Sequence, residues 1–168
     1  MLSAKQQVIA GALLAALVGT AAPTLAQDKT VALAVRPGWV VMATPHTFSK
    51  LVERLEAAVT ANKMAVVNAA SASDGAKAQG FTIPGNRVVG VFRNDFARRI
   101  LAASIPAGIE APIRVYVTED ANGTATLSYR TPEAVFAPYF EGAGVDLRKV
   151  ASELNEIFVA IARDAAKP

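Results

Sequence analysis

EAPIRVYVTEDANGTATLSYRTP, residues Glu110–Pro132, is the stretch that decides the fold of this chain. Two runs rich in Val, Tyr, Thr and Ile flank the tetrapeptide Asp120-Ala121-Asn122-Gly123. β-branched and aromatic residues favour strands, and an Asn-Gly pair between two such runs is a strong local signal for a hairpin. We therefore predict two antiparallel strands joined by a short loop.

The length of this loop determines which side chains share a face of the hairpin. A two-residue loop, Asn122-Gly123, would mix polar and apolar residues on both faces. We favour a three-residue loop, because it places Gly123 at the left-handed position of a type I turn with a bulge. One face is then apolar and the other polar, as a half-covered sheet requires. The facing pairs are Val115 with Tyr129 and Val117 with Leu127 on the apolar side, and Arg114 with Arg130, Tyr116 with Ser128 and Thr118 with Thr126 on the polar side.

Apolar periodicity outside the hairpin predicts three further strands and five helical segments. The expected strands span about residues 39–44, 64–68 and 87–92. The expected helical segments span about residues 48–62, 74–79, 96–105, a short stretch after 131–132, and 147–165. This order predicts an α+β fold, in which helices pack on one face of a mainly antiparallel sheet of about five strands.

Individual residues indicate how these elements begin, end and pack. We expect Asn62 to end the first helix in a left-handed conformation. Gly90, inside a strand, indicates that another element approaches the backbone closely. We expect Leu101 to face the core with the rest of its helix stripe. Side-chain oxygens can satisfy the free N–H groups of a first turn, and the expected N-cap residues are Thr47, Asp74, Asn94 or Asp95, and Asp146.

The first 26 residues have the pattern of a secretory signal peptide. Lys5 provides the positive charge, residues 8–18 form an apolar run, and Thr24-Leu25-Ala26 suits cleavage. The run is short for a membrane-spanning helix, and an uncleaved N-terminal anchor is the alternative. We expect a bacterial periplasmic or secreted protein. The predicted organisation is a signal peptide at 1–26, an N-terminal arm at 27–38, and a single α+β domain with a C-terminal helix at 39–168.

Composition restricts the partners and cofactors of the mature chain. Removing 26 of the 168 residues leaves 142, enough for one domain, and lowers the formal charge from +3 to +2. The charges are dispersed, so we expect no nucleic-acid partner. No second apolar span follows the leader, so we expect no membrane association after cleavage. Cysteine is absent and His46 is the one histidine, so we expect no disulfide, no His/Cys metal site and no cofactor; nucleotide-binding motifs are also absent.

The polar face of the hairpin holds the main candidate site. Arg114 and Arg130 lie opposite each other in the favoured register, and like charges so placed repel by up to about 1 kcal/mol unless an anion separates them. Tyr116 and Ser128 adjoin them and offer hydroxyl donors. We predict that these four residues bind a small anion or a carboxylate.

The polar residues near this face can also be explained without a bound ligand. Glu110, Glu133 or a helix carboxylate would neutralise the two arginines within the chain, or both arginines would extend into solvent. His46 has no nucleophile-elbow motif beside it, so we interpret it as structural. Glu119 and Asp120, which together with Asn122 could bind a cation, fit turn chemistry better.

Three segments resemble a known family. FRNDFARRIL at 92–101, IEAPIRVYVTEDANGTATLSYRTP at 109–132 and the amphipathic TFSKLVERLEAAV at 47–59 are similar to the DUF302 family of small bacterial α+β domains, over about residues 39–140. Where the family usually has Asn-Pro and Asp-Leu-Pro, this chain has Asn94-Asp95 and Glu110-Ala111-Pro112. The resemblance implies the fold and a dimer. It implies no catalytic residues, because the family name records an unknown function.

The sequence leaves three classes of function open. We favour a non-catalytic module that binds a small ligand or a protein, as a homodimer, because no catalytic motif is present. The alternative is a small-molecule hydrolase or isomerase that uses carboxylate and arginine chemistry, which requires a deep pocket with a carboxylate near Arg114 or Arg130. The third is an accessory domain that docks on another envelope protein.

Overall fold

A computed structural model describes residues 34–168 of the chain, and the expected signal peptide and most of the expected arm lie outside these residues. The described part contains five strands and five α-helices, which confirms the α+β prediction. Short 3-10 turns at Pro106–Glu110 and Ala137–Tyr139 complete it. In chain order the elements are β1 (Trp39–Thr44), α1 (Phe48–Ala61), β2 (Ala65–Ala70), α2 (Ala72–Ala78), β3 (Asn86–Phe92), α3 (Asn94–Ala103), β4 (Ile113–Glu119), β5 (Ala125–Arg130), α4 (Pro132–Phe136) and α5 (Val145–Ala166).

The five strands form one sheet in the order β1-β5-β4-β3-β2, and every neighbouring pair is antiparallel. The hairpin strand β4 is therefore central, while β1 and β2 are the edges. Within residues 34–168, no helix has the length and apolar content that crossing a bilayer requires.

The hairpin has the three-residue loop that the sequence favoured. Asp120 N donates to Thr124 O at 2.8 Å, and Gly123 N donates to Asp120 O at 2.9 Å. Gly123 has a φ of +83°, in the left-handed region where glycine has no steric penalty. Val115 pairs with Tyr129 as predicted, so the polar and apolar faces are assigned correctly.

The core lies between the apolar face of the sheet and helices α1 and α5. Val115, Leu127 and Tyr129 on the sheet are buried, as are Leu55 of α1 and Phe158 of α5. Full burial of one such side chain contributes about 2 kcal/mol, so the stripes of the two long helices hold the sheet on this side. The Tyr129 and Phe158 rings lie 5.6 Å apart between centroids, at 51° to each other.

Thr47 caps α1 as predicted, accepting from Lys50 N, but the other three predicted caps are wrong. Ser71 rather than Asp74 caps α2. Helix α3 begins at Asn94 itself, and α5 begins at Val145 after Gly144, so Asp95 and Asp146 lie inside the first turn. Carboxylates are favourable throughout a first turn because of the positive end of the helix dipole, so an aspartate does not identify the cap itself.

Two further local predictions are wrong. Lys63, with a φ of 57°, is the left-handed residue after α1, while Asn62 stays at a φ of −88° and donates from Nδ2 to Ala58 O at 2.9 Å. Leu101 is 47% exposed, although it follows the buried Ile100. Its side chain lies beside Gly108, at the end of α3.

Candidate ligand-binding site

A cavity of about 430 Å³ lies at the polar face of the sheet, and its lining includes all four residues of the predicted site: Arg114, Tyr116, Ser128 and Arg130. Trp39 of β1 and Glu110, just before β4, also line it. We call this space the first cavity.

The strand register explains why these side chains meet. Tyr116 pairs with Ser128, and Arg114 and Arg130 follow on the same face, one residue beyond the Val115–Tyr129 pair. Facing residues on one side of an antiparallel pair have Cβ atoms about 4.5–5.5 Å apart. The two guanidinium side chains therefore start from neighbouring positions of the hairpin and enter one cavity.

The register extends this arrangement across the whole sheet. Arg130 pairs with Trp39 of β1, and Arg114 pairs with Gly90 of β3, which pairs in turn with Asn68 of β2. One row of residues thus crosses all five strands. The Asn68 side chain and the Pro112 ring pack directly over Gly90, since a Cβ there would collide with the Asn68 side chain and lie 2.8 Å from Pro112 Cγ.

The two arginines have no carboxylate partner within the described residues. Arg130 donates from Nη2 to the main-chain oxygen of Ala134 at 2.9 Å. Arg114 is exposed and makes neither a hydrogen bond nor an ion pair with any residue from 34 to 168. The alternative that Glu110 or Glu133 neutralises them is therefore not observed. Two adjacent positive charges in a recess raise the local potential for anions.

Glu110 is instead held by an aromatic residue. Its Oε1 accepts a hydrogen bond from Tyr139 Oη at 2.8 Å. This hydrogen bond to the carboxylate is the main cause that raises the pKa of Tyr139 above its ordinary value, because it stabilises the neutral phenol. Glu110 thus borders the first cavity without contacting either guanidinium.

Ser128 is more buried than a polar open face would suggest. It pairs with Val41 on one side and Tyr116 on the other, and it is 0% exposed. Ser128 is part of the lining of the first cavity. Its buried Oγ has no hydrogen-bond partner among the described residues. A buried polar group without a partner costs about 1–3 kcal/mol, so a ligand that reached this hydroxyl would recover part of that cost.

A second cavity of about 380 Å³ adjoins the first. The two share Val88, Glu110 and Arg114, and the second extends to Asn68 and Ala70 of the edge strand β2. Arg114 therefore borders both spaces. We call this space the second cavity.

The remaining polar residues that the sequence singles out have structural contacts. His46 Nε2 lies 2.6 Å from Lys167 O and ties the start of α1 to the end of α5. Glu119 Oε2 accepts from Gly85 N at 2.7 Å, and Asp120 Oδ2 accepts from Thr126 Oγ1 at 2.9 Å. In the part of the chain that the structure describes, no three His, Cys, Asp or Glu side chains are grouped to hold a metal ion.

Six residues that line the first cavity do not belong to the predicted site, and Trp39 and Glu110 are two of them. Trp39 enters because β1 pairs with β5, and that pairing joins residues far apart in the sequence. No local signal identifies it. From the sequence, Glu110 is expected only to form an ion pair with the arginines. Its hydrogen bond to Tyr139 depends on the two 3-10 turns that contain these residues.

Comparison with known proteins identifies the fold and leaves the site open. The family model described as a domain of unknown function, DUF302, matches residues 40–161. A crystal structure of an uncharacterised conserved DUF302 protein from Bacillus stearothermophilus is similar, with a TM-score of 0.67 over 79% of this chain and 100% of that chain. The two are 16% identical in sequence, so the likeness concerns the fold alone. No protein of curated function matches this chain.

Proposed function

Because this chain belongs to the DUF302 family, whose function is unknown, we propose a function from the site itself: a non-catalytic module that binds a small carboxylate or similar anion in the first cavity. The observation on which this rests is that one cavity contains both Arg114 and Arg130, neither of which has a carboxylate partner among residues 34–168. Its volume of about 430 Å³ is in the range of small-molecule sites.

The chemistry of the lining supports an anion with an apolar body. A guanidinium can donate two parallel hydrogen bonds to one carboxylate, which gives both affinity and orientation. Trp39, Tyr116 and Val88 provide apolar and aromatic surface next to the arginines. The unpartnered Ser128 hydroxyl lies beneath them but is fully buried, so it is not a contact that a ligand reaches in this structure.

Binding without catalysis is favoured over the hydrolase or isomerase alternative. That alternative requires a carboxylate free to act as acid, base or nucleophile near the arginines. The acidic residue lining the first cavity is Glu110, and one of its oxygens already accepts from Tyr139 at 2.8 Å. This lining suits holding an anion better than transferring a proton.

We also propose that the protein acts outside the cytoplasm, in the periplasm or after secretion. This rests on the signal-peptide pattern of residues 1–26. Detection of a mature N-terminus near Gln27 in a periplasmic extract would support it, and retention of Met1 in the cytoplasm would contradict it.

The edge strand β2 supports assembly as a homodimer, with another envelope protein as the alternative partner. All six residues of Ala65–Ala70 are exposed, none is charged, and Val67 is 50% exposed. Uncharged edges with free N–H and C=O groups pair readily with another strand. Sedimentation of the mature chain over a range of concentrations tests this, and a monomer at every concentration would contradict it.

A thermal-shift experiment tests the proposed site. Benzoate, 3-phenylpropionate and inorganic phosphate are added at millimolar concentration to the mature chain and to Arg114→Met. A ligand at about 100 times its Kd stabilises by about 2.7 kcal/mol, so a bound anion raises Tm measurably. We expect at least one carboxylate to raise Tm of the wild type and not of Arg114→Met.

Arg98→Met is the matched control, because Arg98 is an exposed arginine of α3 that lines neither cavity. It should respond to ligands as the wild type does. Equal responses in all three proteins would contradict the proposed site.

A further inference from the structure

Arg114 lines two cavities rather than one. The first cavity extends toward Trp39 of β1, and the second extends toward Asn68 and Ala70 of β2. β1 and β2 are the two edges of the sheet, so the combined space crosses up to four strand spacings, or about 19 Å. A ligand confined to the first cavity would leave the second unused.

The position of the positive charge restricts the shape of a ligand that fills both cavities. A carboxylate is a terminal group, so it stands at the end of a linear molecule. A linear carboxylate bound to Arg114 would therefore extend into only one of the two cavities. Two substituents on the carbon next to the carboxylate can instead diverge, one into each cavity. The ligand is then branched at its α carbon.

The linings of the two cavities differ, and they specify two different arms. The first cavity offers the Trp39 and Tyr116 rings, which suit a large apolar or aromatic arm. The second is lined by small residues such as Ala70 and by the Asn68 side chain. An arm entering it can be polar, because the Asn68 side chain offers an amide there.

Two polar groups beside Arg114 match an amide on the arm that enters the second cavity. Glu110 borders both cavities, and its Oε2 has no hydrogen bond with any residue from 34 to 168, so it can accept one from an N–H. The Asn68 side chain lies over Gly90 with its Oδ1, and its Nδ2 makes no hydrogen bond within the described residues, so Nδ2 can donate to a carbonyl. An N–H near the α carbon followed by a carbonyl is an acylated amino group.

Resting on the proposed function, we infer that the ligand is an N-acyl amino acid with a large apolar side chain. Its carboxylate binds Arg114 and Arg130, its side chain fills the first cavity, and its acyl group fills the second. A free N-acyl amino acid and the C-terminal residue of a peptide share this chemistry. The two sources differ in whether the chain continues beyond the acyl carbonyl.

Isothermal titration with matched probes tests this inference. 3-Phenylpropionate has the carboxylate and the aromatic arm only, and N-acetyl-L-phenylalanine adds the acetamido arm. We expect the second to bind about tenfold more tightly, because even one additional methylene group in a fitted pocket is worth about 10- to 200-fold. The affinities of the D and L enantiomers should differ by at least about fivefold. In one of the two enantiomers each arm enters the cavity whose lining suits the other arm.

Variants of β2 separate the second cavity from the first. Ala70→Phe fills the second cavity and Asn68→Ala removes its amide, so each should abolish the advantage of N-acetyl-L-phenylalanine while leaving 3-phenylpropionate unchanged. Ala43→Phe is the matched control: Ala43 lies on the same sheet face in the opposite edge strand and lines neither cavity.

A tripeptide probe distinguishes the two sources of the ligand. If Gly-Gly-L-phenylalanine binds as tightly as N-acetyl-L-phenylalanine, the site is for a peptide C-terminus. If it binds more weakly, the site is for a free N-acyl amino acid.

The inference and the proposed function fail in different ways. Equal affinity for 3-phenylpropionate and for both enantiomers of N-acetylphenylalanine, in the wild type and in Ala70→Phe, would overturn the two-armed ligand and leave anion binding intact. An absence of binding by every probe, including 3-phenylpropionate, would overturn both.

Discussion

Arg114 and Arg130 lie side by side on the central hairpin, enter one cavity of about 430 Å³, and form no ion pair with a carboxylate among residues 34–168. Folding therefore places two positive charges together without neutralising them. In a protein that only needed to be stable, replacing one of them would be favourable. Substitutions at this site and at the residues around it should change the free energy of unfolding by measurable amounts.

Arg114→Met should stabilise the ligand-free protein. Removing one of two facing like charges relieves a repulsion of a few tenths of a kcal/mol to about 1 kcal/mol. Urea unfolding at low salt measures the effect, which should shrink at high salt because exposed charges are screened. Arg98→Met should change stability little in either condition. A loss of stability in Arg114→Met at low salt would show that the charge is compensated after all.

Ser128→Ala should leave stability unchanged or raise it by about 1 kcal/mol, because it deletes a buried hydroxyl without a partner. Thr126→Val is the contrasting change on the same strand. Thr126 Oγ1 donates to Asp120 Oδ2 at 2.9 Å, so its removal should cost about 1 kcal/mol. Chemical denaturation of both variants measures the difference. An equal loss of stability in the two variants would mean that Ser128 Oγ has a hydrogen-bond partner in solution.

Gly90→Ala should destabilise the protein by about 1–3 kcal/mol. The added Cβ would displace the exposed Asn68 side chain, which can rotate, and would meet Pro112 Cγ at 2.8 Å, so strand β3 or the Pro112 ring before β4 must shift. Gly75→Ala is the control. Gly75 lies in α2 with nothing within 4 Å of an added Cβ, so alanine should stabilise by up to about 1 kcal/mol through helix propensity. A Gly90→Ala variant as stable as the wild type would contradict the close approach.

Tyr129 should make stability fall at high pH. Burial raises the pKa of Tyr129 to about 12, above the value of about 10 expected in the unfolded chain. A group whose pKa is raised on folding contributes its full stability below the unfolded pKa and loses it as pH rises toward the folded pKa. The free energy of unfolding should therefore fall by about 2 kcal/mol more in the wild type than in Tyr129→Phe between pH 10 and 12. Parallel pH profiles for the two proteins would contradict burial of the phenol.

The hairpin can be predicted from the sequence because its determinants are local. Gly123 fixes the loop, the alternation of residues fixes the faces, and Arg114 and Arg130 follow from the register. The prediction for Thr47 is correct for the same reason, since a cap acts within one turn. Where local signals are degenerate, as for Asp95 and Asp146 inside first turns, the predicted caps are wrong.

Other features of the site depend on contacts between distant parts of the chain. Trp39 meets Arg130 only because β1 joins the sheet beside β5, and Asn68 reaches Arg114 only because β2 pairs with β3 across Gly90. Neither pairing leaves a signal in a short window of sequence. The burial of Ser128 has the same origin, because Val41 flanks it from the edge strand.

Isothermal titration of 3-phenylpropionate into the wild type and into the Arg114→Met/Arg130→Met double variant tests anion binding by the two arginines most directly. Both proteins must first show a cooperative unfolding transition, and stabilisation by the substitutions is itself expected. We expect saturable binding to the wild type and none to the double variant. Equal binding to both proteins, or none to the wild type, would contradict the proposed site.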